Sequence, residues 1–486
     1  ENVIQLQYYY KQQIQTDSGM EITMADSQKG KIDMTTGHIM KNIILFAIPI
    51  IIGNVLQQLY TTVDALVIGK YCGDTSLAAV GTSSQPVEVL LCVFLGIGTG
   101  VSILISQYTG ARESGKVVSV CGTSITLIYI VGIPIGILGW FAAPYILEFM
   151  KVPQDVWGAA LIYTRVVFLG TLGNLGYNMN AGILRGLGDS KASLWFLVVS
   201  CVSNIVFDLL FVAGFGMDVA GAALSTSIAM FISWIVSIVY IRKKFPEIQF
   251  TFLPRRFSGT MMKDILAIGL PVGLNNSLYS LGHVALQTFN NSQGAIFMAG
   301  GAVAGRITGC SNIAITGLSS AATTFSGQNY GAKKYSRIKE GHWRVPLCSG
   351  LITLSFGLFF IMIHKPIIRF FSSDEMVLMY ASRHVIVMLL SQWFYAIFNC
   401  IISIVNGTGK VRYTTIVNIL MLWAVRIPSA YIINRYFDGT WVMLCFPISF
   451  SFGMFAMIGY YLFSPAWKEV MRLAENKQNE GEQNLA

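Results

Sequence analysis

Long apolar runs separated by short polar segments make up most of the chain between residues 41 and 463. About 20 consecutive apolar residues form an α-helix long enough to cross the hydrocarbon core of a bilayer. The pattern therefore predicts an all-α polytopic membrane protein with twelve transmembrane helices. We place these helices approximately at 41–66, 80–106, 118–141, 158–182, 191–213, 219–241, 263–289, 296–325, 345–364, 382–405, 413–433 and 441–463.

Short sequence matches in the two halves indicate an internal repeat with an offset of about 221 residues. SQYTGAR (106–112) matches GQNYGAK (327–333), and RGLGDSK (185–191) matches NGTGKVR (406–412). Each half holds six predicted helices, an even number, so both halves cross the membrane in the same orientation. The repeat therefore predicts two pseudo-symmetric six-helix lobes related by an axis along the membrane normal, an arrangement typical of transporters.

The polar segments divide the chain into five predicted regions. We expect a flexible cytoplasmic tail at 1–33, an N-lobe at 34–241, a cytoplasmic linker at 242–262, a C-lobe at 263–465 and a second cytoplasmic tail at 466–486. Residues 1–33 mix acidic and basic side chains and do not have the form of a signal peptide.

Composition and charge support a chain surrounded by lipid. Hydrophobic residues make up 54% of the chain and charged residues 12%, and the mean hydropathy is +0.59. If the N-terminus lies inside, far more Lys and Arg residues fall in inner segments than in outer ones. This excess predicts that both termini lie in the cytoplasm and that the protein resides in the plasma (inner) membrane. It also accounts for the net charge of +9 without a nucleic-acid partner.

Known chemical motifs are missing from the sequence. The eight cysteines are scattered, and neither they nor the five histidines show metal-ligand spacing. A phosphate-binding loop, a dinucleotide-binding fingerprint and an HExxH motif are all absent from the sequence. We therefore expect no enzymatic activity, no cofactor, no dedicated metal centre and no ATP-driven transport.

Three acidic residues lie in the interiors of the predicted spans, and all three are in the first half: Asp64, Glu88 and Asp208. The second half has only Asp264, at the inner end of its first span. An ionised carboxylate inside a membrane is costly and usually marks an ion or substrate pathway. Asn204 and Asp208 are four residues apart, so they share one face of the fifth helix. If Asp64 and Asp208 lie close together, one of them holds a proton or a cation bridges the two.

Structural roles are the alternatives for these residues. Asp208 could form an interhelical hydrogen bond without any role in transport, and Asp64 could be a solvated cap near the outer end of its helix. For Glu88 we favour the structural role, since a helix N-terminus stabilises an acid. Pro49 interrupts the backbone hydrogen bonds of the first helix and is a candidate hinge.

Several stretches resemble the multidrug and toxic compound extrusion (MATE) family. They are AIPIIIGNVLQQLYTTVDALVIGKYCGDTSLAAVG (47–81), SQYTGAR (106–112), ILRGLGDSK (183–191), NIVFDLLF (204–211) and GQNYGAKK (327–334). The resemblance implies two six-helix lobes that form a V, and export of amphiphilic, often cationic compounds in exchange for H+ or Na+.

The first-half acids resemble those of the DinF-like branch, typified by the DNA-damage-inducible F protein. In that branch, the first-helix aspartate matches Asp64 and the fifth-helix pair matches Asn204 and Asp208. A fourth-helix tyrosine of related proteins has its nearest counterpart in Tyr177. The chain departs from the family at Leu209, where proline is common.

From these observations we predict a secondary active multidrug exporter that works by alternating access, and we expect a monomer in the lipid bilayer. Asp64, Asn204 and Asp208, with Tyr177, are the predicted coupling residues for H+ or Na+, and Pro49 is the predicted hinge. The main alternative is a flippase for a lipid-linked precursor, which would favour a strongly cationic cavity. A membrane-embedded enzyme and a passive channel are further alternatives.

Overall fold

The computed structural model describes residues 31–254 and 256–483. Twelve long helices form the body of the protein. They are α1 (Ile39–Tyr71), α2 (Asp74–Gly110), α3 (Ser114–Phe149), α4 (Gln154–Gly186), α5 (Ser190–Gly214), α6 (Asp218–Lys244), α7 (Gly259–Asn291), α8 (Ala295–Gly331), α9 (Tyr335–Phe371), α10 (Glu375–Gly407), α11 (Val411–Tyr436) and α12 (Gly439–Phe463). A thirteenth helix, α13 (Pro465–Gln483), follows.

All twelve predicted spans correspond to helices, and the described residues contain no strand. Most helices extend several residues beyond the predicted apolar runs, because polar end turns remain helical outside the hydrocarbon region. Within the described ranges, ten helices are long and apolar enough to cross a membrane. The other two, α7 and α8, are equally long but rich in Gly, Ser, Thr and Asn.

The fifth helix changes its pitch directly after Asp208. It is α-helical to Asp208 and then π-helical over Leu209–Gly214. The backbone N–H of Leu209 lies within reach of the carbonyls of Ile205 and Val206. A proline at this position would lack that donor, so Leu209 preserves the backbone bonding up to the point where the helix widens. Segments of π-helix occur frequently at functional sites.

The first part of α1 packs in the core of the C-terminal half, and the first part of α7 packs in the core of the N-terminal half. Ile43 and Phe46 at the start of α1 pack in the C-terminal core with residues of α8 and α10, whereas Ile68 near its end packs with α5 and α6. In α7 the pattern is reversed, since Ile265 packs in the N-terminal core and Leu286 in the C-terminal one.

The two lobes meet at the end where α2, α4, α8 and α10 finish, which we call the closed end. Gln107 of α2 donates a hydrogen bond to the carbonyl of Gly407 at 2.8 Å. Gln328 of α8 donates the equivalent bond to the carbonyl of Gly186 at 3.1 Å. The repeat predicted from the sequence thus appears as a pair of reciprocal bonds between the lobes.

Glycines allow the backbones of α2 and α8 to touch at the closed end. A Cβ atom at Gly110 would lie 1.9 Å from the carbonyl oxygen of Gln328, and one at Gly331 would lie 1.8 Å from that of Gln107. Both distances are far below van der Waals contact, so no other residue fits without moving a helix.

The segments predicted as tails and linker are partly ordered against this end. Residues 1–30 lie outside the described residues, but the N–H of Ile32 donates to the carbonyl of Gly188 at 3.0 Å. Met34 is fully buried, and its N–H donates to Gln328 Oε1 at 3.0 Å. In the linker Phe245 is buried in the N-terminal core. In α13, Trp467 is buried in the C-terminal core, so this segment is a packed helix at its start.

Candidate cation site and cavity

The structure brings the two predicted carboxylates together. Asp64 lies two turns before the end of α1, and Asp208 is the last α-helical residue of α5. Their side chains are within hydrogen-bonding distance of each other. Asp208 is fully buried, and Asp64 is half-buried. Such a contact is a hydrogen bond only when one carboxyl group carries a proton.

Two hydroxyl groups of α6 complete the surroundings of this pair. Ser225 Oγ donates a short hydrogen bond to Asp208 Oδ1. Asn204, buried one turn before Asp208, donates from Nδ2 to Thr226 Oγ1 at 3.2 Å. The sequence-based prediction included neither Ser225 nor Thr226. A Ser-Thr pair in a membrane helix carries little information, because such hydroxyls usually bond to the carbonyl one turn earlier.

Three oxygen atoms of the predicted residues are buried and receive no hydrogen bond from any described residue. They are Asp64 Oδ1, Asn204 Oδ1 and Asp208 Oδ2. A buried polar atom without a partner costs free energy. Carboxylate and amide oxygens are ligands that hard cations prefer. The cluster therefore has the donor set for either a small cation or a proton shared between the carboxylates.

A cavity of about 480 Å³ lies next to this cluster inside the N-terminal half. Its walls come from α1, α2, α4, α5 and α6, and they include Tyr60 and Thr226. Tyr60 also interacts electrostatically with both Asp64 and Asp208. Thr226 and Tyr60 therefore belong to the cavity and to the surroundings of the carboxylates at the same time.

The fourth helix places Tyr163, and not Tyr177, near the carboxylates. Tyr163 interacts electrostatically with Asp64 and Asp208. Tyr177 is buried and lines the cavity, where its neighbours are Tyr60 and Arg185. The two tyrosines are about four helical turns apart, and the sequence alone did not show which of them faces the first helix.

Pro49, the predicted hinge, is buried in α1 and lines the cavity. It lies where α1 passes from the C-terminal core to the N-terminal half. Five residues later Asn54 Nδ2 donates to Thr316 Oγ1 of α8 at 3.1 Å. A change of bend at Pro49 would therefore alter the cavity wall and the contact between the lobes together.

The structure corrects the prediction for Glu88. We expected it at a helix N-terminus, but α2 begins at Asp74, so Glu88 lies about four turns inside the helix. Its side chain is exposed and lines the cavity. The expected stabilisation by a helix N-terminus does not apply there, since that effect fades within the first turn.

Within the second half, the equivalent region holds a buried cation instead of carboxylates. Arg426 is fully buried in a π-helical segment of α11. It donates from Nε to Ser449 Oγ at 2.8 Å and from Nη1 to the hydroxyl of Tyr279 at 3.2 Å. Its guanidinium also lies 4.9 Å from the ring centres of Phe446 and Phe450.

Comparison with known proteins explains the two-lobe architecture. The family model MatE matches residues 49–210 and matches again at residues 271–432. The chain belongs to the MatE family. The two matches have equal lengths and one offset, which confirms the internal repeat and the resemblance found in the sequence.

Relatives with known names and structures cover nearly the whole chain. "Probable multidrug resistance protein YoeA" of Bacillus subtilis is 28% identical over 449 residues, which is 89% of this chain and 95% of the relative. "Probable multidrug resistance protein YpnP" of the same organism is 27% identical, covering 91% of this chain and 99% of the relative.

Solved MATE structures share the fold. One, described as the "Outward-facing conformation of a multidrug resistance MATE family transporter of the MOP superfamily", has a TM-score of 0.79 and 25% identity, covering 93% of this chain and 99% of that one. A MOP superfamily transporter from Pyrococcus furiosus has a TM-score of 0.80 and 24% identity over the same shares. The protein is thus a multi-pass membrane protein with the MATE transporter fold.

Proposed function

We propose that this protein is a secondary active multidrug exporter that exchanges amphiphilic organic compounds for H+ or Na+. The observation that supports this most directly is the contact between Asp64 and Asp208, beside three buried oxygens that lack donors. Relatives named as multidrug resistance proteins support the substrate class. The Asn204 and Asp208 pair favours the DinF-like branch of the family.

Thr226 and Tyr60 provide the coupling in this proposal, because each borders both the cavity and the carboxylate cluster. When the site is empty of ions, the carboxylates repel each other and hold the cavity open. Uptake of a proton or of Na+ removes this repulsion and lets α1 pack against α5 and α6. The cavity then shrinks and releases its substrate. An ion can drive this change only if it binds one of the two states more tightly.

The closed end supports an outward-facing state for this structure. The basic residues of the loops predict that this end lies in the cytoplasm, and there Gln107 and Gln328 join the lobes. A substrate in the cavity would then leave towards the outside. In this proposal both termini lie in the cytoplasm and the protein is a monomer in the plasma (inner) membrane, in line with the excess of Lys and Arg in the inner loops.

Efflux from proteoliposomes tests the proposal. Vesicles loaded with rhodamine 123, a cationic amphiphile, are exposed to an inward gradient of either H+ or Na+. We expect one of these gradients to accelerate efflux, which identifies the coupling ion. Asp64→Asn and Asp208→Asn should reduce efflux to the rate measured without a gradient, because neither variant can form the charged pair.

Glu113→Gln is the matched control, since Glu113 is an acid in an ion pair with Lys116 outside the cavity. It should keep gradient-driven efflux. Undiminished gradient-driven efflux in both aspartate variants would refute the coupling mechanism. Flux through the wild-type protein that is independent of both gradients would instead indicate a passive channel.

A further inference from the structure

Arg185 presents a positive charge to the cavity without a counterion among the described residues. It is the penultimate residue of α4, and its side chain lines the cavity beside Tyr177. Its guanidinium forms no ion pair and no hydrogen bond with any residue that the structure describes. Other basic side chains near the same end are paired, for example Lys244 with Asp189 at 2.7 Å and Lys116 with Glu113 at 2.6 Å.

An unpaired guanidinium on a cavity wall is a binding site for an anionic group. Arginine stays charged at any physiological pH and offers five donors in a planar arrangement that matches a carboxylate. The Arg185 side chain is only partly buried and lines the cavity, so the negative group of a ligand can form charge-assisted hydrogen bonds with it, which are stronger than those between neutral groups. The position of Arg185 is therefore explained better by a ligand than by packing.

Glu88 supplies the opposite charge at the other end of the cavity. Contacts between α2 and α4 show how far apart the two residues lie along the helix axes. A Cβ atom at Gly186 of α4 would lie 2.8 Å from the carbonyl oxygen of Ser102 of α2. Arg185 is thus level with Val101. The stretch of α2 from Glu88 to Val101 spans roughly 20 Å at 1.5 Å per residue.

The wall between these two charges is apolar with a few amides. Leu91, Leu95 and Met230 contribute apolar surface, whereas Asn174 and Asn178 contribute hydrogen-bonding groups. The volume of about 480 Å³ is in the range of cavities that hold drug-sized molecules. The cavity therefore has a positive end, an apolar middle and a negative end.

We propose that this cavity binds zwitterionic amphiphiles, with the anionic group on Arg185 and the cationic group directed towards Glu88. The proposal rests on the proposed export function and narrows its substrate class. It narrows the sequence-based expectation of amphiphilic, often cationic substrates to those that also carry an anionic group, since a cavity for purely cationic compounds would not place an unpaired guanidinium in its wall.

Two dyes that differ by one methyl group test it. Rhodamine 110 carries a free carboxylate, and rhodamine 123 is its methyl ester with the same cationic ring system. Binding to the purified protein is measured by fluorescence anisotropy in detergent, without any ion gradient. We expect the wild type to bind rhodamine 110 about tenfold more tightly, the effect of one hydrogen-bonded ion pair. Arg185→Gln should abolish this preference by weakening rhodamine 110 binding alone.

Further variants distinguish the loss of a charge from a failure of the protein to fold. Arg185→Lys should retain a preference for rhodamine 110, because the charge remains. Glu88→Gln should change the binding of both dyes to the same small extent, since both carry the same cationic ring system and are shorter than the distance of roughly 20 Å between Arg185 and Glu88. Unchanged binding of rhodamine 123 to Arg185→Gln shows that this variant is folded.

The inference is overturned if the wild type binds the ester as tightly as the acid, or if Arg185→Gln weakens both dyes to the same extent. The wild-type comparison needs no variant, so a folding defect cannot obscure it. Because binding is measured without a gradient, a failure of ion coupling leaves this result unaffected. Conversely, gradient-driven efflux together with equal dye affinities would refute only the role of Arg185.

Discussion

Asn204 and Thr226 are joined by a hydrogen bond of 3.2 Å, and only Thr226 of the two lines the cavity. The bond therefore connects the buried carboxylate cluster with the place where a substrate would bind. In the proposed mechanism, a change in the position of α5 when an ion binds is transmitted to the cavity wall through this contact.

Thr226→Val removes this bond while nearly preserving the shape of the side chain. We expect rhodamine 123 to bind the variant in the absence of coupling ion about as tightly as it binds the wild type. The coupling ion should weaken dye binding several times less in Thr226→Val than in the wild type, since a hydrogen bond of this kind contributes about 1 kcal/mol. Anisotropy titrations with and without the ion measure both quantities.

Thr324→Val is the matched control for this variant, because among the described residues Thr324 donates its side-chain hydrogen bond to the carbonyl of Ser320 in its own helix, α8. It should respond to the ion like the wild type. An equally strong ion effect in Thr226→Val would show that coupling does not pass through this residue.

Pro49→Ala tests the hinge. The alanine restores a backbone donor one turn after Leu45, so α1 becomes stiffer where it passes between the two cores. We expect gradient-driven efflux to slow several-fold while the affinity for rhodamine 123 stays unchanged. Proteoliposome efflux and anisotropy separate the two effects.

Pro271→Ala provides the comparison in the other lobe, since Pro271 lies inside α7 at the equivalent place but away from the carboxylates. It should slow efflux less than Pro49→Ala. Equal effects of both substitutions would contradict a special role for the first helix.

Gly331→Ala should destabilise the closed end. Its Cβ would lie 1.8 Å from the carbonyl oxygen of Gln107, so α2 and α8 must separate, at a cost of about 2 kcal/mol. We expect faster hydrogen–deuterium exchange in the last turns of both helices. Gly115→Ala is the control, because a Cβ there meets nothing within 4 Å, and it should leave exchange unchanged. Unaltered exchange in Gly331→Ala would show that the contact is not maintained in the membrane.

Arg426→Met should leave the protein as stable or make it more stable. Burying a guanidinium without a carboxylate partner is unfavourable, and Nη2 has no hydrogen-bond partner among the described residues. A methionine fills a similar volume between Phe446 and Phe450, and the expected gain is about 1 kcal/mol. The midpoint of thermal unfolding in detergent measures it.

The control for that variant is Arg306→Met, because Arg306 is exposed on α8. Its midpoint should move little, as surface substitutions usually change stability by no more than about 0.5 kcal/mol. A marked fall in the midpoint of Arg426→Met would show that the ring and hydroxyl contacts of the guanidinium outweigh its desolvation.

The helices and the repeat could be predicted from the sequence because lipid imposes a simple pattern on each span. The pairing of Asp64 with Asp208 could be predicted because few carboxylates lie in the spans and an unpaired one is costly. Ser225 and Thr226 could not, since hydroxyls in membrane helices usually satisfy themselves within their own helix.

Charged residues near the ends of spans were harder to place. Arg185 falls just after the predicted fourth span, at 158–182, because the sequence shows how far a residue lies along a helix but not which face it occupies. Glu88 was misplaced for a related reason, since the apolar run begins later than the helix that contains it. Both lie on the cavity wall only because of how α2 and α4 pack together.

Each half of the chain carries a donor and an acceptor for the pair of bonds at the closed end: Gln107 with Gly186, and Gln328 with Gly407. Two copies of either half would therefore satisfy the same two bonds. The halves differ elsewhere, since one holds a carboxylate pair and the other a buried arginine, but each keeps a glutamine and a glycine at these positions.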